Sequence, residues 1–139
     1  MILYFKLLVV GVLIACAQTV YAGTLYVVVS NNLRGHAFSA EEIKHIFLGE
    51  VTSLDNDRVH LIYPSYSSDS IVTLSRFVGK GSNIRDLKSY WSKMIFTGRG
   101  NPPETADNDA ELKKYLEEDN SIGVATSASG MNVVYTIND

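Results

Sequence analysis

The densest run of side chains that could do chemistry is Ser65-Tyr66-Ser67-Ser68-Asp69-Ser70, which leads into a helix-forming stretch. A helix start presents unpaired N–H groups and a partial positive charge, and both suit an oxyanion. Hydroxyls of Ser67, Ser68 or Ser70 could add donors. Asp69 cuts both ways: its carboxylate complements the helix dipole and repels a dianion, yet it could accept a hydrogen bond from a protonated oxyanion. Plain capping explains the same residues, because Ser and Asp are preferred at the N-cap. A second candidate is Arg99, set between Gly98 and Gly100. Backbone amides there could form a nest and the guanidinium could clamp an oxyanion bidentately, or the glycines could simply cap the preceding helix. Arg76 reads as a solvated helix charge. His36, His45 and His60 fall on different elements, with none of the paired spacings that suggest zinc, so no metal is expected. There is no nucleophile elbow, no phosphate-cradling glycine loop and no paired-carboxylate frame, so the chain reads as a binding protein, not an enzyme, and no cofactor is expected.

These residues belong to a chain of 139, one domain's worth, with a net charge of −3. A general nucleic-acid binder would show a basic patch and a high pI, so nucleic acid is not an expected partner. The first twenty-odd residues differ from the rest. Lys6 is their only charged side chain, and Leu7 to Ala15 is an unbroken apolar run. Such a run is short for a bilayer crossing, which takes about 20 residues, and suits the core of an export signal. Val20 and Ala22 place small residues before a cut at Gly23, giving a signal over 1–22 and a mature domain over 23–139. Leu13-Ile14-Ala15-Cys16 also resembles a bacterial lipobox, which would cut before Cys16 and anchor the protein by a lipid. Cys16 is the single cysteine, so a cut after Ala22 leaves no thiol for a disulfide, a metal or a nucleophile.

The elements that must position the candidates follow from pattern. Leu25 to Val29 is β-branched without polar alternation and predicts a strand buried on both faces. Ser39 and Glu42 form a capping box, Phe38 and Ile43 a hydrophobic staple, and Ile43, Ile46 and Phe47 one apolar face ending at Gly49. Val59 to Tyr63 predicts a second strand, and Pro64 to Ser70 a serine-rich loop. Ile71, Leu74 and Val78 mark the buried face of the next helix, which ends at Gly79. Asn83 caps a longer helix in which Ile84, Leu87, Trp91, Met94 and Ile95 keep helical spacing. Tyr90, Trp91 and Met94 there read as core, not as a stacking site. Thr97 to Pro103 predicts a rigid loop. Asn108 with Glu111 opens a last helix bearing Leu112, Tyr115 and Leu116, and 121–125 and 132–136 predict two strands. The order β-α-β-α-α-α-β-β predicts an α/β fold with helices packed over a sheet.

Three segments in this order carry a family resemblance: Ile46-Phe47-Leu48-Gly49-Glu50 after a capped helix, Tyr90-Trp91 with Ile95-Phe96-Thr97-Gly98-Arg99-Gly100-Asn101-Pro102-Pro103, and Ser121-Ile122-Gly123-Val124. The chain resembles the small PBP-like proteins related to phosphate-binding proteins of ABC transporters. The resemblance implies a periplasmic-binding-protein type 2 fold of little more than one lobe, with a mixed sheet, in an exported, periplasmic protein. It implies a small oxyanion such as phosphate as ligand and a membrane transporter or sensor as partner. Full-length phosphate binders close two lobes around the anion, so here a second copy could supply the missing lobe. In those proteins the corresponding loop carries Ser-Gly-Thr at the helix start with a preceding Arg. This chain has no Gly-Thr after its serines, and Tyr63 and Pro64 stand where the Arg would be. A ligand-free lobe that docks on a sensor, a transporter or a second copy is the other reading.

Overall fold

The computed structural model describes residues 23–139. The expected export signal over residues 1–22, with Cys16 in it, lies outside the described residues.

Thr24–Val29 forms β1, as its β-branched run predicts, and a short 3-10 turn follows at Asn31–Leu33. Helix α1 spans Ala40–Phe47, and the hydroxyl of its N-cap Ser39 accepts from the amide of Glu42. Only half of the predicted capping box closes. The Glu42 carboxylate turns instead to His36 Nε2 at 3.2 Å. Two elements absent from the sequence reading follow: β2 at Ser53–Leu54 and β3 at Asp57–Arg58, an antiparallel hairpin. Asp55 and Asn56 make its turn, at φ 52° and 69°. Two left-handed residues in succession match the twist of a tight hairpin, and Asp and Asn tolerate that region best among residues with a side chain.

Strand β4 is His60–Pro64 and helix α2 is Asp69–Phe77, so Asp69 and Ser70 are already helical where a loop was expected. Helix α3 runs Ile84–Phe96 from an N-cap at Asn83, which accepts from the Arg85 amide at 3.0 Å. Strand β5, Glu104–Ala106, is a further correction, found directly after the rigid loop. Helix α4 is Asp109–Tyr115 with Asn108 as N-cap, and β6 (Ser121–Ala125) and β7 (Asn132–Asn138) end the fold.

The main sheet has the order β5-β4-β6-β1-β7. Strand β4 runs parallel to β5 and β6, whereas β1 is antiparallel to β6 and β7. The sheet is therefore mixed. Alternation along the strands divides the core in two. Leu25, Val27, Val29, Tyr63, Ile122 and Val124 face α1, α2 and α3. Val28, Ile62 and Ala125 face Leu112 of α4. Gly123 belongs to the second face, and a Cβ there would stand 2.6 Å from Leu112 Cδ1, so the glycine lets α4 lie close to the sheet.

Three helices end alike. Gly49 donates to Ile46 O and Glu50 to His45 O, and the same pair of bonds recurs at Gly79-Lys80 and Gly98-Arg99. This is the Schellman closure, which needs a left-handed residue after the helix. Ser75 is the exception to a well-satisfied interior. It is fully buried on α2 and its hydroxyl has no partner among the described residues. A buried unpaired hydroxyl costs more than the methyl that would replace it. Ser75→Ala is expected to stabilise the protein by about 1 kcal/mol in urea unfolding. A loss of stability would mean that the hydroxyl bonds in solution.

Candidate functional site

The serine loop leaves the C-terminal end of β4, the end at which open α/β sheets bind ligands. Its hydrogen bonds decide what it offers. The Ser68 hydroxyl donates to Ser65 O at 2.6 Å, and Ser65 Oγ and Ser67 Oγ share a bond of 2.9 Å. Ser68 occupies the N-cap of α2, yet its side chain caps nothing. Ser39, Asn83 and Asn108 do cap the other three helices. No acceptor among the described residues takes the backbone N–H of Asp69, Ser70 or Ile71. The start of α2 therefore keeps free amides and the positive end of its dipole.

The predicted site residues do not converge on one hollow. Ser67, Ser68 and Asp69 line an open hollow with Tyr66, Ser82 and Asn83, between the starts of α2 and α3. The positive ends of two helices meet there. The Lys88 ammonium lies beside it, 5.6 Å from the Tyr66 ring centre. Ser70, again with Ser68, lines a different hollow of about 310 Å³ at the ends of β4, β5 and β6, together with Asp107 and Asp109. There the chain supplies its own anion. The Asp109 carboxylate accepts from Thr126 N, Thr126 Oγ1 and Ser127 N, each at 3.1 Å. These donors are spent, and two carboxylates disfavour a further negative charge.

Arg99 stands apart from both. It lines a hollow of about 680 Å³ bounded by the end of α1, the β2–β3 hairpin, the start of β4 and the end of α3. The nest considered at this position does not form at Gly98 and Arg99, because both amides close the C-terminus of α3 on Ile95 O and Met94 O. The guanidinium remains exposed. Arg58 lines the same hollow and escaped the sequence reading. The signal that would have found it is Asp55-Asn56, the turn that brings it there. The hairpin itself is held by Asn120, whose Nδ2 donates to Leu54 O at 3.2 Å while its Oδ1 accepts from Asn32 Nδ2.

Two of the three segments that carried the family resemblance, the end of α1 and the Tyr90-Trp91 pair, meet as a packing junction with Tyr63 of β4. Tyr63, fully buried, donates to Phe47 O and accepts from Trp91 Nε1 at 3.1 Å. Tyr90 donates to Leu48 O at 2.5 Å. The Trp91 ring lies edge-on to both tyrosines, at 5.8 Å from each centre. A Cβ on Gly49 would come within 2.7 Å of that ring. The core role expected for Tyr90, Trp91 and Met94 is what the packing shows. Burial drives the Tyr63 hydroxyl well above the usual tyrosine range, so it stays protonated as the donor this junction needs.

Among the described residues no three His, Cys, Asp or Glu side chains gather as for a metal ion, and no helix is long and apolar enough to cross a membrane.

No family model matches the chain, and no curated protein does. A solved structure resembles it: an ABC-type phosphate transport receptor from Vibrio cholerae, with a TM-score of 0.51 and 11% identity. The likeness covers 81% of this chain and 46% of the receptor, so the chain spans less than half the receptor's length. At that identity the likeness establishes architecture alone, and the architecture is a periplasmic-binding-protein fold with a mixed sheet and helices packed on it.

Proposed function

We propose that the chain is an exported solute-binding module for a small oxyanion such as phosphate, received between the starts of α2 and α3. The observation that carries the reading is the uncapped start of α2, where Ser68 turns its hydroxyl to Ser65 O and leaves three amides free. Ser67 and the α3 dipole face the same hollow. Asp69 lies in it too, so a monoprotonated phosphate, able to donate to that carboxylate, suits it better than sulfate. A membrane transporter or sensor is the partner for such a module, and an export signal over residues 1–22, as the sequence predicts, would carry it to the periplasm.

Thermal unfolding at low salt tests this. Phosphate at about 100 times its dissociation constant adds roughly 2.7 kcal/mol, a rise of several degrees in Tm. Ser67→Ala should reduce the shift at a fixed phosphate concentration. Asp69→Asn should narrow the gap between phosphate and sulfate. No shift with phosphate, sulfate or molybdate at millimolar concentration sinks the reading.

The second reading is a ligand-free module that docks on a membrane protein or on a second copy. Its support is Phe96, 93% exposed at the end of α3, beside Ile95 at 44%. Large apolar side chains adjacent on a surface mark interaction sites.

A further inference from the structure

Charge separates the three hollows. The two that meet the serine loop have aspartates in their walls, with the Lys88 ammonium beside one of them. The hollow at the opposite end of β4 holds Arg58 and Arg99 and no acid, in a chain whose net charge is negative. Neither guanidinium has an ion-pair or hydrogen-bond partner among the described residues. Glu50, next to Gly49 in the wall, is already engaged by His45. Apolar side chains share that lining: Ile46 and Trp91 are buried, Leu61 is half-buried and Ile95 is exposed.

We propose that this hollow is a second binding site, for an organic carboxylate with an apolar body. Two features select that class. A guanidinium grips a carboxylate through two parallel N–H···O bonds, which an ammonium cannot do. An aliphatic and indole lining gives nothing to inorganic phosphate but removes a hydrocarbon chain from water. The volume, about 680 Å³, lies in the range of small-molecule sites. The site is independent of the oxyanion reading, because no residue lines both this hollow and the one at the start of α2.

Trp91 is the only tryptophan of the chain and lines this hollow, so its emission reports occupancy directly. The experiment titrates the full protein with octanoate and, separately, with the neutral octanol. Octanoate should change Trp91 emission saturably, with octanol binding about tenfold weaker or worse, the scale of one charge-assisted contact. Arg58→Gln with Arg99→Gln should raise the octanoate dissociation constant at least about tenfold and leave octanol binding unchanged. Ser67→Ala should leave octanoate binding as it was. Equal affinity for octanoate and octanol, or no saturable response to octanoate, overturns the site on the parent protein alone, whatever the double variant does. An octanoate affinity lost with Ser67 would move the site to α2 and overturn it equally.

Discussion

Gly49→Ala is expected to lower the stability by about 2–5 kcal/mol, seen as a fall in Tm on the order of 10 °C or more. Two costs add. Gly49 sits at φ 71°, where a side chain costs roughly 1–2 kcal/mol. The new methyl would also stand 2.7 Å from the Trp91 ring, which Tyr63 and Tyr90 hold edge-on. A ring so fixed can yield only by moving α3 or α1, and overpacking of that kind costs about 1–3 kcal/mol. Gly79→Ala separates the two terms. It has a like backbone at φ 81° and nothing within 4 Å of its Cβ, so it should show the backbone cost alone. Trp91 emission, unmoved by Gly79→Ala, should shift in Gly49→Ala. Equal losses in both variants would show that the ring makes room and that the junction is looser than its geometry.

That junction also explains what was legible in the sequence. The end of α1, the Tyr90-Trp91 pair and the loop at Arg99 were read as family features, and each could be placed on its element because its signal is local. A capping serine, a glycine after the last turn and helical spacing of apolar residues all act within a few positions. The same holds for β1, whose β-branched run needs burial on both faces and receives it from α1–α3 and α4. The misses are of another kind. Strands β2 and β3 have two residues each, too few for a period to appear. Strand β5 follows two prolines and exists because β4 offers it a parallel edge, a partner that no local pattern encodes.

The candidate site divides along the same line. The serine-rich start of α2 was visible as a helix start with hydroxyls. The direction of the Ser68 hydroxyl was not visible, nor was the capture of Thr126 and Ser127 by Asp109, because both depend on which loop lies opposite. Arg58 and Arg99 share a hollow only once the hairpin folds back over the end of α3. The sequence thus located donors one by one, whereas convergence is a property of the sheet that carries them.

Tyr63→Phe should cost about 2–4 kcal/mol in urea unfolding at neutral pH, although it keeps the ring. The hydroxyl serves two buried groups at once, the Phe47 carbonyl and the Trp91 indole N–H. Its loss leaves both unpaired, at roughly 1–3 kcal/mol each, less whatever relaxation allows. The cost also depends on pH, with a sign that can be worked out. Burial raises the folded-state pKa of Tyr63 above its unfolded value of about 10. The stabilising protonated form is therefore fully present below pH 10. Above that, the unfolded chain releases the proton while the folded chain keeps it, and the stability of the parent falls by up to about 1.4 kcal/mol per pH unit from this group. Tyr66 and Tyr90, also shifted upward by burial, add to the same alkaline limb in both proteins. The gap between parent and Tyr63→Phe should accordingly be constant from neutral pH to about 9.5 and narrow above 10. A parallel pair of curves through that range would mean that Tyr63 ionises as readily in the folded chain as in the unfolded one, and water would then have to reach the contact between α1 and Trp91.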